Sequence, residues 1–174
     1  MSPEQKIWKL SNANELPNLL GKQQSVLCYG HFNIIHPGHI RYLEYAKSLG
    51  KRLIVAVQGD QMFTHSGSSH HFTAQERALG LAWLNIVDGI LILDVGDLAE
   101  AIQLLRPKSL VLGKEFEKDR KGQLKEALEK LRTVGGKVVF HAGEIHYATT
   151  DLLRDESRDQ QPDRWQQFQQ ACQR

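Results

Sequence analysis

Apolar residues in this chain fall into short continuous runs, separated by stretches in which they recur every three or four positions. SVLCYG (25–30), KRLIVAVQGD (51–60), GILILD (89–94), SLVLG (109–113) and KVVFH (137–141) are the continuous runs. Apolar centres of this kind suit strands covered on both faces. The stretches between them carry a helical period. In PGHIRYLEYAKSLG (37–50), Ile40, Leu43, Ala46 and Leu49 share one face, and Gly50 stops the run. TAQERALGLAWLNI (73–86) opens on Thr73 with Glu76 three residues later, a capping box. LAEAIQLL (98–105) is a helix ended by Arg106-Pro107. The stretch 117–136 holds a helix stopping near Gly135 and Gly136, and a last helix is expected from Thr149 or Thr150.

Five strands alternate with helices, which predicts an α/β fold: a doubly wound parallel five-stranded sheet, Rossmann-like. Residues 1–24 read as a polar leader with one or two helical turns, 25–153 as the domain, and 154–174 as a polar, Gln-rich linker or helix leading to a further domain. Folds of this class bind ligands beyond the carboxyl ends of their strands. The unusual residues cluster at those ends: 30–39, 58–71, 113–117 and 144–150.

Composition narrows the function without naming it. The 174 residues fit one domain, and the 41% hydrophobic content is ordinary for a globular chain. A net charge of +2 argues against a dedicated nucleic-acid partner, while leaving room for a local positive site. No apolar run approaches the roughly 20 residues of a membrane span. The start, MSPEQKIWKL, lacks a signal-peptide core. The expectation is a cytoplasmic protein with no membrane partner, whose Cys28 and Cys172 are free thiols.

GHFNIIHPGH (30–39) is the densest chemistry in the chain. Gly30 ends a strand, and Pro37 suits the first position of a helix. A helix start presents unpaired N–H groups and partial positive charge, which hold phosphates. His36 and His39, three apart, share a face there. Two imidazoles among amide donors can neutralise charge developing on phosphorus. Two other readings stay open on spacing alone. The pair could ligate a metal, although zinc sites need a third protein ligand and no H-E-x-x-H or C-x-x-C motif accompanies it. The histidines could also simply cap the helix.

His36-Pro37-Gly38-His39 resembles the HxGH signature of the cytidylyltransferase-like nucleotidyltransferases, and the longer stretch resembles their G-x-F-D-x-x-H-x-G-H. RLIVAVQGD, TAQERALGL, SLVLGKEFE (109–117) and YATTDLL (147–153) resemble further family blocks in the same order, from about residue 25 to 153. The nearest resemblance is to the nucleotidyltransferase domain of bifunctional ADP-heptose synthases and to glycerol-3-phosphate cytidylyltransferases. The resemblance implies that a phosphorylated sugar or polyol attacks the α-phosphorus of CTP or ATP, with CTP slightly favoured, and that pyrophosphate leaves. It implies catalytic phosphate contacts from His36 and His39. Gly30, Phe32, Asn33, Gly38, Arg77, Gly113, Lys114, Thr149 and Thr150 fall at nucleotide-binding positions, and His31, Asp60 and His65 at acceptor-binding positions. It also implies a homodimer and a Mg2+ ion held mainly by nucleotide phosphates, with no protein metal site.

The chain departs from the family pattern in several places. Asn33 stands where the family has aspartate, and His31 precedes the phenylalanine. Lys114 and Glu115 occupy places where the glycerol-phosphate enzymes have acids, and Ala148 replaces a serine. The family's arginine upstream of the last block is missing, with His146 the nearest basic residue. The loop after Asp60 carries His65, His70 and His71 where relatives carry lysines. These changes keep a second reading alive: a nucleotide-binding module of the same fold without turnover. A tRNA synthetase fragment is disfavoured by the chain's length and by the lack of a K-M-S-K-S-like loop.

Overall fold

The computed structural model describes residues 2–16, 25–62, 72–94, 97–118 and 122–141. The chain divides into two compact units, Met1–Glu144 and Ile145–Arg174, and the second lies outside the described residues. The first unit is built on a sheet of six strands: β1 Ile7–Lys9, β2 Ser25–Gly30, β3 Arg52–Gln58, β4 Gly89–Leu93, β5 Ser109–Gly113 and β6 Lys137–His141. Their spatial order is β1-β4-β3-β2-β5-β6, and every neighbouring pair is parallel. The helices are α1 Pro37–Ser48, α2 Ala74–Ala82, α3 Asp97–Leu105, the short α4 Glu115–Lys118, and α5 Gln123–Thr133.

Continuous apolar strands need cover on both faces, and the helices supply it. Val26, Cys28, Leu53, Val55, Val57 and Ile90 point to one face, under α1 and α2. Leu27, Ile54, Ala56, Leu91, Leu110 and Leu112 point to the other, under α3 and α5. The doubly wound architecture follows from that alternation.

The sheet has one strand more than the sequence pattern predicts. β1 lies in the segment expected to form a polar leader with helical turns, and only short 3-10 turns, Glu4–Lys6 and Leu10–Asn12, flank it. Three residues carry no readable periodicity. Ile7, Trp8 and Lys9 are extended because they pair with Ile90, Leu91 and Ile92 at the edge of β4. Lys6 pins the strand by donating to the carbonyls of Ala82 and Val87 at 3.1 and 3.0 Å. The helix expected within 117–136 is α5, which begins after Gly122, whose φ of 54° is left-handed, and ends at Thr133, just before Gly135 and Gly136. The last predicted helix falls outside the described residues.

Asp88 ties the edge of the sheet opposite the strands' carboxyl ends. Its carboxylate accepts from Lys47 of α1, from Arg52 at 3.0 Å and from the Leu53 amide at 2.8 Å. Burial alone would raise its pKa, but the bonds from Lys47, Leu53 and Arg52 prevail and hold it below the ordinary 3.8. Asp88→Ala should therefore cost about 1–2 kcal/mol of stability at pH 7 in urea unfolding. A carboxylate with a depressed folded pKa stabilises above its unfolded pKa, so the wild-type advantage should shrink as pH falls through and below 3.8.

Candidate active site

Strand order reverses at β2, with β3 and β4 on one side and β5 and β6 on the other. A crevice therefore opens beyond the carboxyl ends of β2 and β5, the usual ligand position in this architecture. The segment 31–36 leaves β2 there and leads into α1. Gly113 and the exposed Lys114 leave β5 there. The Tyr42 hydroxyl of α1 donates to the Val111 carbonyl of β5 at 2.6 Å, holding the helix start across the reversal.

The turn out of β2 is strained and tightly packed. Phe32 has φ 50°, a left-handed conformation that costs a non-glycine residue about 1–3 kcal/mol. Its side chain is nonetheless buried, with the ring 5.2 Å from the His39 ring and 6.3 Å from Tyr42. A Cβ on Gly30 would lie 3.2 Å from that ring, so the small residue at the strand end makes room for Phe32.

His36 is the N-cap of α1, and its Nδ1 accepts from the Gly38 amide at 3.1 Å. A Cβ on Gly38 would sit 2.8 Å from the His36 ring. Glycine at 38 is thus required by the cap itself, whatever else approaches it. His36 and His39 stack with ring centroids 4.0 Å apart, as their spacing leads one to expect. His39 Nδ1 is buried and makes no hydrogen bond among the described residues. Desolvation, and then the neighbouring His36, push the His39 pKa down to about 4, against a weaker opposing effect of the Ile34 backbone. Desolvation and the charge of Arg41 lower His36 as well. Both imidazoles are therefore neutral near pH 7, and the His36 cap needs its Nδ1 unprotonated.

Arg77 of α2 is buried, and its guanidinium faces the main chain. Nη1 donates to the His31 carbonyl at 2.5 Å, Nη2 to the Gln58 carbonyl at 2.7 Å, and Nε to the Phe72 carbonyl at 3.1 Å. Nη2 also pairs with Asp60 Oδ1 at 3.0 Å, and the same oxygen accepts from the Ala74 amide at 2.7 Å, at the start of α2. Arg77 and Asp60 are thus brought together as a strap joining β2, β3 and α2. His31 exposes surface yet is crowded by protein, which lowers its pKa, and the Arg77 charge lowers it further. Asn33 lies partly buried between Phe32 and the helix start. His65, Thr149 and Thr150 lie outside the described residues.

Arg41 was not singled out by the sequence pattern. Its Nε is buried, and it makes no hydrogen bond or ion pair among the described residues. One turn further along α1, Tyr45 stacks on His141 of β6 at 4.0 Å, so this flank of the helix looks toward the far side of the crevice. An arginine on a helix reads as a solvated surface residue, and only its placement reveals a cation without a counter-charge among the described residues. Among the described residues no three His, Cys, Asp or Glu side chains converge on a point that would hold a metal. No described helix is long and apolar enough to cross a membrane.

A histidine held neutral by burial destabilises the fold once it must be protonated. His39 takes up its proton at about 4 in the folded chain and near 6.5 when unfolded, so its contribution is complete above 6.5 and is lost as pH falls toward 4. Thermal unfolding of wild type should lose about 2–3 kcal/mol more than His39→Gln between those limits.

The family model described as cytidylyltransferase-like matches residues 27–159. The bifunctional protein HldE of Campylobacter curvus is 35% identical over 116 residues, covering 66% of this chain and 25% of that protein. The chain thus spans about a quarter of the length of the HldE proteins it matches. The FAD synthase of Archaeoglobus profundus is 37% identical over 105 residues, covering 60% of this chain and 66% of that protein. The crystal structure of the lipopolysaccharide core biosynthesis protein from Thermoplasma volcanium superposes with a TM-score of 0.55 at 29% identity, covering 67% of this chain and 92% of that one.

Proposed function

The chain belongs to the cytidylyltransferase-like family, and from that premise we propose that it transfers a nucleotidyl group from CTP or ATP to a phosphorylated small molecule. An oxygen of the acceptor's phosphate attacks the α-phosphorus, the bond between α-phosphorus and bridging oxygen breaks, and pyrophosphate leaves. The observation that carries this reading is the stacked His36–His39 pair on the first turn of α1, at the point where strand order reverses.

With Nδ1 of His36 occupied by the Gly38 amide, its Nε2–H is left to donate outward. The amides of the first helical turn, His36 and His39 together offer donors to a polyphosphate in a fixed arrangement. Arg41 supplies a cation close enough to lower the His36 pKa. No covalent intermediate is needed, so the chain's part is placement and charge stabilisation. A Mg2+ ion, when bound, would screen the phosphates. With no carboxylate cluster among the described residues, the triphosphate itself would be its main ligand. Gly113 and Lys114, at the end of β5, fall where the base would lie. The acceptor is a sugar or polyol phosphate, met by His31 and the loop after Asp60. The reading includes a cytoplasmic homodimer.

The nucleotide is decided between two supports. The sequence pattern leans to CTP, while similarity to a protein named FAD synthase, whose product carries an adenylyl group, brings ATP forward. A binding module without turnover draws on Asn33, an amide where the resemblance expects a carboxylate.

Pyrophosphate release should be measured with CTP, ATP and Mg2+ against a panel of sugar and polyol phosphates. One pairing should turn over, and His39→Ala should lower its kcat about 100-fold or more. A silent panel with measurable nucleotide binding would establish the module instead. Because the imidazoles are neutral when free and a polyphosphate favours their charged forms, binding takes up protons. Nucleotide affinity should rise as pH falls from about 7.5 to about 5.5, and a flat profile in calorimetry would remove the histidines from the phosphate site.

A further inference from the structure

Phe32 is a buried, bulky residue held left-handed directly before the catalytic turn. Such a conformation persists only where its surroundings over-determine it. The φ of Phe32 is set by the orientation of the peptide plane between His31 and Phe32, and the His31 carbonyl lies in that plane. That carbonyl accepts from Arg77 at 2.5 Å. Arg77 in turn cannot shift freely, because the Gln58 and Phe72 carbonyls and Asp60 hold its other donors. On the far side of the same peptide, the Phe32 ring packs 5.2 Å from His39. A rigid path thus runs from a buried guanidinium through one carbonyl and one aromatic ring to an imidazole of the site.

We infer that Arg77 is a positioning residue: by holding the His31 carbonyl it keeps Phe32 left-handed and its ring against His39, fixing the orientation and the dry surroundings of that imidazole. The kinetic consequence rests on the nucleotidyl-transfer reading. The structural consequence does not. The assignment also departs from the phosphate contact that the family resemblance implies for Arg77, since four of its hydrogen bonds go to the protein itself. The ionisable groups around His39 are His36, stacked on it, Tyr42 one turn on, Cys28 of β2 bonded to Tyr42, Arg41 acting on His36, and Arg77 behind His31.

The test uses the full chain with 13C-labelled imidazoles, and His39→Gln identifies the His39 signal. In wild type that signal should titrate at about 4. In Arg77→Met it should titrate higher by roughly one pH unit or more as water reaches the ring. In the same variant kcat should fall about tenfold or more while KM for nucleotide stays within about twofold, the mark of lost transition-state placement. Arg77→Lys should not restore either value, because an ammonium cannot span acceptors that a planar fork reaches together. Phe32→Leu should reproduce the His39 shift with Arg77 intact, and with Arg77→Lys it decides the matter if Arg77→Met fails to fold. An unchanged His39 midpoint in folded Arg77→Met or in Phe32→Leu overturns the proposal. So does a raised KM with unchanged kcat that Arg77→Lys repairs, which would make Arg77 a phosphate ligand. If wild type releases no pyrophosphate with any pairing, the proposed function fails, and the His39 midpoint still decides the role of Arg77.

Discussion

Parallel strands that end side by side leave their last carbonyls without a neighbouring amide, at the edge where a ligand must sit. Buried carbonyls need donors, and a fringe of carbonyl oxygens would repel a polyphosphate. One guanidinium answers both needs. Arg77 takes the carbonyls after β2 and β3, adds that of Phe72 and pairs with Asp60. A buried arginine is costly unless its donors are met, and here each partner is one that also required a donor. The turn into α1, the start of α2 and the loop after β3 are therefore fixed together.

That arrangement divides positive charge into two kinds. Arg77 carries a permanent charge met by carbonyls and a carboxylate, although its field still reaches His31. The histidines facing the crevice carry none when the site is free. Two imidazoliums with centroids 4.0 Å apart would repel strongly in a partly dry pocket, so burial and mutual repulsion keep both neutral. Their stacking is then favourable, and His36 can spend Nδ1 on capping the helix. On the proposed function, charge would arrive with the ligand, since an anion among these donors would favour the protonated imidazoles. Phe32, held left-handed, lies with its ring 5.2 Å from the His39 ring, whose burial disfavours its charged form.

The strands and the two faces of the sheet were legible because burial on both sides demands continuous apolar runs, and the runs at 25–30, 109–113 and 137–141 become strands with those bounds. The helix cap at Thr73 was legible too, since a capping box is local chemistry, and its Thr73–Glu76 bonds are present. β1 was not. Three residues become a strand only because β4 offers them an open edge. The helix within 117–136 was legible from its period and its closing glycines, and Gly122, with a positive φ, marks where α5 begins. At the site, spacing predicts that His36 and His39 meet. It says nothing of what Arg77 binds, because three of its partners are main-chain carbonyls, which every residue possesses, and another, Asp60, lies 17 residues away. Arg41 was invisible for the converse reason: its distinction is the lack of any partner among the described residues.

A strap made to the main chain has a consequence for specificity. Arg77 grips residues 31, 58 and 72 through their carbonyls, so the side chains at those positions contribute nothing to the grip. The bond from Arg77 to the carbonyl at 31 would therefore survive a change of side chain there. Asn33, one residue past the strained position, is placed by the same rigid backbone. Two of the residues at which this chain departs from its family's pattern thus flank Phe32, whose backbone is held left-handed. The strap and the stacked histidines can thus stay fixed while the side chains that the Arg77 grip does not use differ from chain to chain.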